Sequence, residues 1–387
     1  MNSAAQHVHI FCKVVDNYGD IGVCWRLARQ LATEHAQIVT LWVDDLVSFK
    51  TICAAVETDC AMQVVQGVHV IHWTIAPLMQ PDHIAVGDIV IEGFGCALSD
   101  AYIQAMAKKA IPPVWLNLEY LSAEDWVEDC HAMVSVHPSL GLKKYFFFPG
   151  FSDKTGGLLI DRATQVRKAE FDRNPHAREE FFRQQGIPVI QRARYVSLFC
   201  YPSAPVHQLL MACADAETPI VCVVPEGVAR DAITAFVGHA LVAGESVTIG
   251  QLTLHCLPFI DQPAYDTLLW ACDMNYVRGE DSFVRAQWAA KPFVWHIYIQ
   301  DEDAHLIKLN AFLARYTQHM PVHLKTYVTR LWQAWNGVKT PETRDLYRQV
   351  WLHEWDAWEL AARDWHEFIL KNGDLATNIR RFASKIS

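Results

Sequence analysis

The sequence predicts an α/β protein built from two doubly wound domains in succession. Three observations lead there. The chain has 387 residues, the length of two ordinary domains at about 100–200 residues each. Its first part alternates short apolar runs with segments of helical period, the pattern of a parallel sheet covered by helices. After a polar stretch at 162–192, the same alternation begins again.

The first run, His9–Val15, is strand-like and ends at Asp16. Ile21–Glu34 follows, with Trp25, Leu27, Ala28 and Leu31 at helical spacing. Ile38–Val43, Val68–Trp73, Asp88–Glu92 and Val114–Glu119 read as strands, with a helix around Ala101–Lys109. Lys143–Gly157 breaks the rhythm through its phenylalanines, Pro149 and paired glycines. The second series starts at Arg194–Cys200. Pro205–Cys213 is helix-like, Pro219–Val224 a strand and Ala229–Val237 a helix. Val247–Leu257 holds short strands, Tyr265–Cys272 a helix, and Met274–Val277 and Pro292–Ile297 strands. From Glu302–Tyr316 onward the chain reads as helical. Trp332, Trp335, Trp351, Trp355, Trp358 and Trp365, several of them three or four apart, mark an apolar helix face suited to core packing. The expected division is a first domain over 1–160, a connector over 161–192, a second domain over 193–360 and a tail over 361–387 packing back on the first.

Composition removes several functions. A net charge of -10 argues against a general nucleic-acid or anionic-membrane binder, whose footprint is basic. No run approaches the roughly 18 apolar residues of a membrane span, and no signal peptide is visible, so a cytoplasmic protein is expected. The 11 cysteines form no C-x-x-C pair, which leaves buried free thiols in a reducing compartment as the simplest account. No H-E-x-x-H occurs, and His7 and His9 alternate along a strand rather than forming a metal pair.

Two segments carry chemistry. Arg278–Gln287 follows an apolar strand, and Gly279 allows a sharp turn into a new helix that Asp281 or Ser282 can cap. A helix N-terminus with Arg278 and Glu280 beside it suits a phosphate-linked substrate. The plain alternative is a surface pair between Arg278 and Glu280 or Asp281. Asp16–Gly22 joins the first strand to the first helix without G-x-G-x-x-G, which disfavours a dehydrogenase. Asp20 lies where an N-cap would be, and Asp16 can close a turn on its own backbone. The functional alternative is a carboxylate acting on a nucleophile. Asp16–Asp20, Glu92–Gly95 and Arg278–Ser282 all fall at the carboxyl ends of strands, where open α/β sheets bind ligands, so a cleft between the domains is expected to hold the site.

Asp16-Asn17-Tyr18-Gly19-Asp20-Ile21-Gly22-Val23-Cys24-Trp25-Arg26 resembles the opening of the bacterial protein-arginine rhamnosyltransferases that modify translation elongation factor P. Trp115–Glu124, Phe148–Leu158 and Arg278–His305 are similar to that family too, in order and spacing, to about residue 310. The resemblance implies a GT-B glycosyltransferase, two Rossmann-like domains facing a central cleft. It implies transfer of L-rhamnose from dTDP-β-L-rhamnose to an arginine of elongation factor P, with inversion, without metal or other cofactor. By matching position it makes Asp20 the general base, with Asp16 and Glu280 as further acids. Tyr201, Phe259, Gln262, Arg278, Asp281, Ser282 and Tyr298 become donor contacts, Phe259 by stacking on thymine. The Pro202-Ser203 pair departs from the family pattern.

Two other readings stand beside this one. A GT-B transferase with another nucleotide sugar or a small acceptor would share the same motifs. A regulatory protein that binds a nucleotide without turnover would not need Asp16, Asp20 and Glu280. The Glu92–Gly95 loop and Asn117–Tyr120 are the candidates for acceptor contact.

Overall fold

The structure, a computed structural model, describes residues 5–15, 18–73, 85–338, 343–349 and 355–386. Asp16 and Trp351 therefore lie outside the described residues. The chain divides into two compact units, Met1–Arg162 with Ile369–Ser387, and Ala163–Phe368.

The first unit holds an eight-stranded sheet. Its strands are β1 (His7–Cys12), β2 (Ile38–Val43), β3 (Met62–Val65), β4 (Val68–His72), β5 (Ile89–Gly93), β6 (Val114–Leu118), β7 (Val134–Val136) and β8 (Lys143–Phe147), in spatial order β3-β4-β2-β1-β5-β6-β8-β7. The edge strands β3 and β7 run antiparallel to their neighbours, and the other pairings are parallel. Both faces of β1 are covered, as a central parallel strand requires. Val8, Ile10 and Cys12 face a core shared with helix α1 (Gly19–His35) and α2 (Leu46–Ile52). Phe11 faces the opposite core with Trp42, Tyr102 and Met106, the last two on α3 (Asp100–Lys108). A short helix, α4 (Trp126–Cys130), precedes β7.

The final helix of the chain belongs to this first unit. Leu375, Ala376, Ile379 and Ala383 join the core beside α1. Gln30 of α1 donates to both the Ile160 carbonyl and the Asp374 carboxylate at 2.9 Å.

The second unit opens with α5 (Arg162–Arg173) and α6 (Ala177–Gln184), whose Phe181 and Phe182 enter its core with Tyr195 and Leu268. Its strands are β9 (Arg194–Leu198), β10 (Ile220–Pro225), β11 (Ser246–Ile249), β12 (Leu252–Leu257), β13 (Met274–Arg278) and β14 (Phe293–His296). Their order is β11-β12-β10-β9-β13-β14, parallel except for β11. Helices α7 (Val206–Ala214), α8 (Arg230–Val237), α9 (Gln262–Ala271) and α10 (Asp281–Trp288) make the crossovers. The remaining helices are α11 (Ala304–Tyr316), α12 (Val322–Trp335), α13 (Thr343–Gln349), α14 (Trp355–Leu370) and α15 (Leu375–Ile386).

The tryptophan stripe is core. Trp332, Trp335 and Trp358 are fully buried, and Phe312 stacks on Trp332 at 5.6 Å. Two indole N–H groups find acceptors inside, Trp358 at the Tyr316 hydroxyl and Trp365 at the Gln287 amide, both at 2.9 Å. All 11 cysteines are free thiols and most are buried, as their apolar surroundings suggested. Among the described residues no helix is long and apolar enough to cross a membrane.

Candidate functional site

Each sheet reverses its winding direction once, and those switch points place the candidate residues. In the first unit the switch lies between β1 and β5. The turn after β1 leads into α1, and Asp20 sits in its first helical turn. The cap position is Tyr18, which makes no side-chain cap bond, so the expectation that Asp20 caps α1 is corrected. One Asp20 oxygen, Oδ2, accepts instead from the Val15 N–H at 2.8 Å. The other, Oδ1, accepts from the Tyr120 hydroxyl at 3.2 Å. Asp20 is 2% exposed, so its charge is held by hydrogen bonds and by the positive end of α1.

Tyr120 follows β6, and its ring stacks on Phe94 at 4.4 Å. Phe94 and Gly95 take left-handed backbone angles, φ 55° and 66°, which turn the chain sharply after β5. Asn117 donates to Glu119, and its own Oδ1 is buried without a hydrogen-bond partner. A buried acceptor left open in this way is uncommon and suits a donor-rich ligand group. Glu92 is different. Its carboxylate accepts from the Leu98 N–H at 3.2 Å and the Trp115 indole at 3.0 Å, and pairs with Lys144 at 3.1 Å. These three partners give the Glu92 side chain a structural role within the fold. Cys12 lies near Asp20; a hydrogen bond with Cys24, together with burial, pushes the Cys12 thiol well up, so it does not serve as a ready thiolate.

In the second unit the switch lies between β9 and β13. β13 ends at Arg278, Gly279 turns at φ 59°, and α10 begins at Asp281. The cap residue is Glu280 and makes no side-chain cap bond, which corrects the expectation of a cap by Asp281 or Ser282. The Ser282 hydroxyl accepts from the Arg278 N–H at 3.0 Å and donates to the Arg278 carbonyl, stitching the turn shut. The Trp295 indole donates to the Gly279 carbonyl at 2.9 Å while its ring stacks on Phe283 at 4.0 Å.

The Arg278 guanidinium is directed at the loop after β9. It lies over Phe199 at 4.2 Å and Tyr201 at 5.0 Å, and donates to the Cys200 carbonyl at 3.1 Å. Tyr201 meets Tyr298 edge-on at 5.6 Å. Gln262 starts α9 and reaches Asp281 at 3.5 Å. Phe259, in the turn before α9, is 56% exposed, and Tyr298 57%. An exposed Tyr298 ring against Tyr201, itself under the Arg278 cation, suits a nucleotide. Underneath, Arg285 of α10 grips Asp266 of α9 through two bonds of 2.9 and 3.2 Å. Arg167 lies 3.7 Å from the same carboxylate. This buried fork ties the two helices that carry Gln262 and Asp281.

The structure thus gathers Tyr201, Arg278, Asp281, Ser282, Gln262 and Tyr298 at one sheet end, with Glu280 in the same turn. Asp20 stands with Tyr120 in the other unit. Tyr120 as the partner of Asp20, and His296 beneath Tyr201, are contacts that no local pattern announced. Among the described residues no group of three or more His, Cys, Asp or Glu stands close enough to hold a metal ion.

Residues 8–384 match the family model described as elongation factor P (EF-P) rhamnosyltransferase EarP. A protein-arginine rhamnosyltransferase of Pseudomonas putida is 46% identical, over 96% of this chain and 97% of its own. The enzyme of the same name in Pseudomonas aeruginosa is 43% identical, over 96% and 97%. A solved structure described as the basis for EarP-mediated arginine glycosylation of translation elongation factor EF-P superposes with a TM-score of 0.69 at 32% identity, covering 98% of this chain and 99% of that one. The glycosyltransferase VinC in complex with dTDP has a TM-score of 0.51 at 11% identity, covering 98% of this chain and all of its own, and shares the fold. Two parallel-rich α/β sheets with a helical C-terminal region are the architecture of the GT-B glycosyltransferases.

Proposed function

The chain belongs to the EarP family of elongation factor P rhamnosyltransferases and is a protein-arginine rhamnosyltransferase; from that premise we propose that it moves L-rhamnose from dTDP-β-L-rhamnose to an arginine of elongation factor P, inverting the sugar. The observation that carries the chemistry is Asp20. Its carboxylate is buried, fixed through both oxygens and placed at a helix N-terminus, yet it performs no capping.

Arginine is a weak nucleophile because its guanidinium stays protonated, with a pKa above about 12. A carboxylate cannot strip that proton beforehand. In this scheme Asp20 hydrogen-bonds the guanidinium and takes the proton as the new C–N bond forms. The bond from C1 of rhamnose to the β-phosphate oxygen breaks, and dTDP leaves as the anion. Attack from the face opposite the leaving group inverts C1, through an oxocarbenium-like state. Asp16 and Glu280 are the further acids that orient the planar fork. The open Oδ1 of Asn117 is suited to one guanidinium N–H.

The leaving diphosphate needs positive partners. Arg278 and the N–H groups at the start of α10, those of Asp281 and Ser282, supply them without a metal. Phe259 offers its face to thymine, with Gln262, Tyr201 and Tyr298 around the nucleotide. Elongation factor P is the protein partner, the reaction belongs in the cytoplasm where translation occurs, and neither nucleic acid nor membrane takes part.

The experiment is a calorimetric panel with dTDP, UDP and GDP, followed by NMR of the product formed with dTDP-β-L-rhamnose. The proposal expects selective dTDP binding and an α-configured rhamnosyl arginine. Preference for UDP would favour another nucleotide sugar, and a β-configured product would overturn inversion.

A further inference from the structure

Two side chains hold the loop that carries Tyr201 after β9. Arg278 donates to the carbonyl of Cys200. The Tyr201 N–H donates to Nδ1 of His296 at 3.2 Å. His296 is the last residue of β14 and pairs in register with Arg278, the last of β13. Its imidazole is 2% exposed and meets the Tyr201 ring edge-on at 5.4 Å.

A backbone N–H pointing at Nδ1 decides the tautomer. Nδ1 must carry a lone pair, so the ring proton is on Nε2. Burial, followed by the nearby Arg278 and His305, pushes the His296 pKa down to about 4, so the ring is neutral at pH 7. Nε2 lies 3.5 Å from the Ser203 hydroxyl, a long contact that leaves the N–H room to follow the loop. A protonated ring would lose the Nδ1 acceptor and add a charge beside Arg278.

We propose that His296 is a further positioning residue for donor binding: its Nδ1 pins the Tyr201 amide and its Nε2–H steadies Ser203, so that Tyr201 is held in place for a nucleoside diphosphate sugar. The inference rests on the donor reading of this half-site. It also gives the divergent Pro202-Ser203 pair a local partner. Asparagine at 296 can still offer an oxygen near the Nδ1 position, whereas alanine cannot.

Two measurements test it. The first needs no ligand: ¹⁵N NMR of histidine-labelled protein, with the His296 signals assigned by their loss in His296→Asn. The expected result is the neutral Nε2–H tautomer at pH 7; an Nδ1–H tautomer or an imidazolium overturns the inference. The second is dTDP calorimetry and steady-state kinetics with dTDP-β-L-rhamnose. His296→Ala is expected to raise the donor KM about tenfold, the weight of one hydrogen bond, with a smaller change in kcat. His296→Asn is expected to recover most of that loss.

Wild-type dTDP affinity in His296→Ala overturns the inference, as does equal impairment of the alanine and asparagine variants. Phe259→Ala tells the two failures apart. If it weakens dTDP while His296→Ala does not, the positioning role alone fails. If the wild-type protein binds no dTDP, the donor reading fails and takes the positioning role with it.

Discussion

Tyr120 donates its phenolic hydrogen to Asp20 across 3.2 Å, joining the loop after β6 to the first turn of α1. The bond fixes one carboxylate oxygen while the Val15 N–H fixes the other at 2.8 Å. In the proposed base role, a carboxylate held this way would need no reorganisation when a guanidinium arrives.

Tyr120→Phe removes that bond and keeps the stack on Phe94. A hydrogen bond to a charged group is worth about 1.5–3 kcal/mol, so kcat should fall by roughly tenfold to a hundredfold. Donor affinity should not change, because Tyr120 is not among the proposed donor contacts. Steady-state kinetics with both substrates varied gives the answer. An unchanged kcat would show that the bond has no part in the reaction.

Phe259→Ala should weaken dTDP by about 1–3 kcal/mol, the usual scale of base–aromatic stacking. Phe259 is 56% exposed, so thermal stability should barely move. Calorimetry and a melting curve on the same preparation separate the two effects. Equal affinities would remove Phe259 from the nucleotide site.

The Arg285–Asp266 fork predicts a large cost for breaking one side. Arg285→Ala removes the two-bond fork from a buried carboxylate that Arg167 approaches only to 3.7 Å, and should cost about 3–5 kcal/mol of stability. Chemical denaturation measures this. The double change Arg285→Met with Asp266→Leu should recover much of the loss, since apolar replacements of buried pairs are often tolerated. A double variant as unstable as the single one would mean that packing, not the stranded charge, sets the cost.

His9 should make the first unit sensitive to acid. Burial, then His7 and Lys109, pushes its pKa from 6.5 down to about 4. The Tyr102 hydroxyl lies 2.8 Å from its Nδ1, where a neutral ring can accept from it. Because the folded pKa lies below the unfolded one, the unfolded chain takes the proton first. The contribution is full above pH 6.5 and is lost as pH falls toward 4. A shift of this size is worth up to about 3 kcal/mol. His9→Gln keeps an acceptor but cannot titrate, so its stability should fall less over that window. Parallel curves for the two proteins would contradict the assignment.

Much of this was legible in the chain because it is local. Ile38–Val43 coincides with β2, and Val68, Asp88 and Val114 begin runs that match β4, β5 and β6 to within a residue or two. What escaped was short or non-local. β3 and β7 are edge strands of four and three residues with mostly exposed side chains, so they lack an apolar run. β8 hides in a phenylalanine-rich stretch that ends in Pro149-Gly150. Glu92 reads as a free acid in sequence, and only the fold brings Trp115 and Lys144 to it. Asp20 and Tyr120 are a hundred residues apart, so no spacing rule could pair them. The donor roles proposed here come from the resemblance, since a strand–Gly–helix turn alone does not name its ligand.

The most direct test is the intact mass of elongation factor P after incubation with dTDP-β-L-rhamnose and either the wild-type protein or Asp20→Asn. The account predicts a gain of one deoxyhexose on an arginine with the wild type. It predicts none with Asp20→Asn, although that variant still binds dTDP. Transfer by Asp20→Asn at the wild-type rate would contradict the base assignment, and no gain with a wild-type protein that binds dTDP would contradict the acceptor.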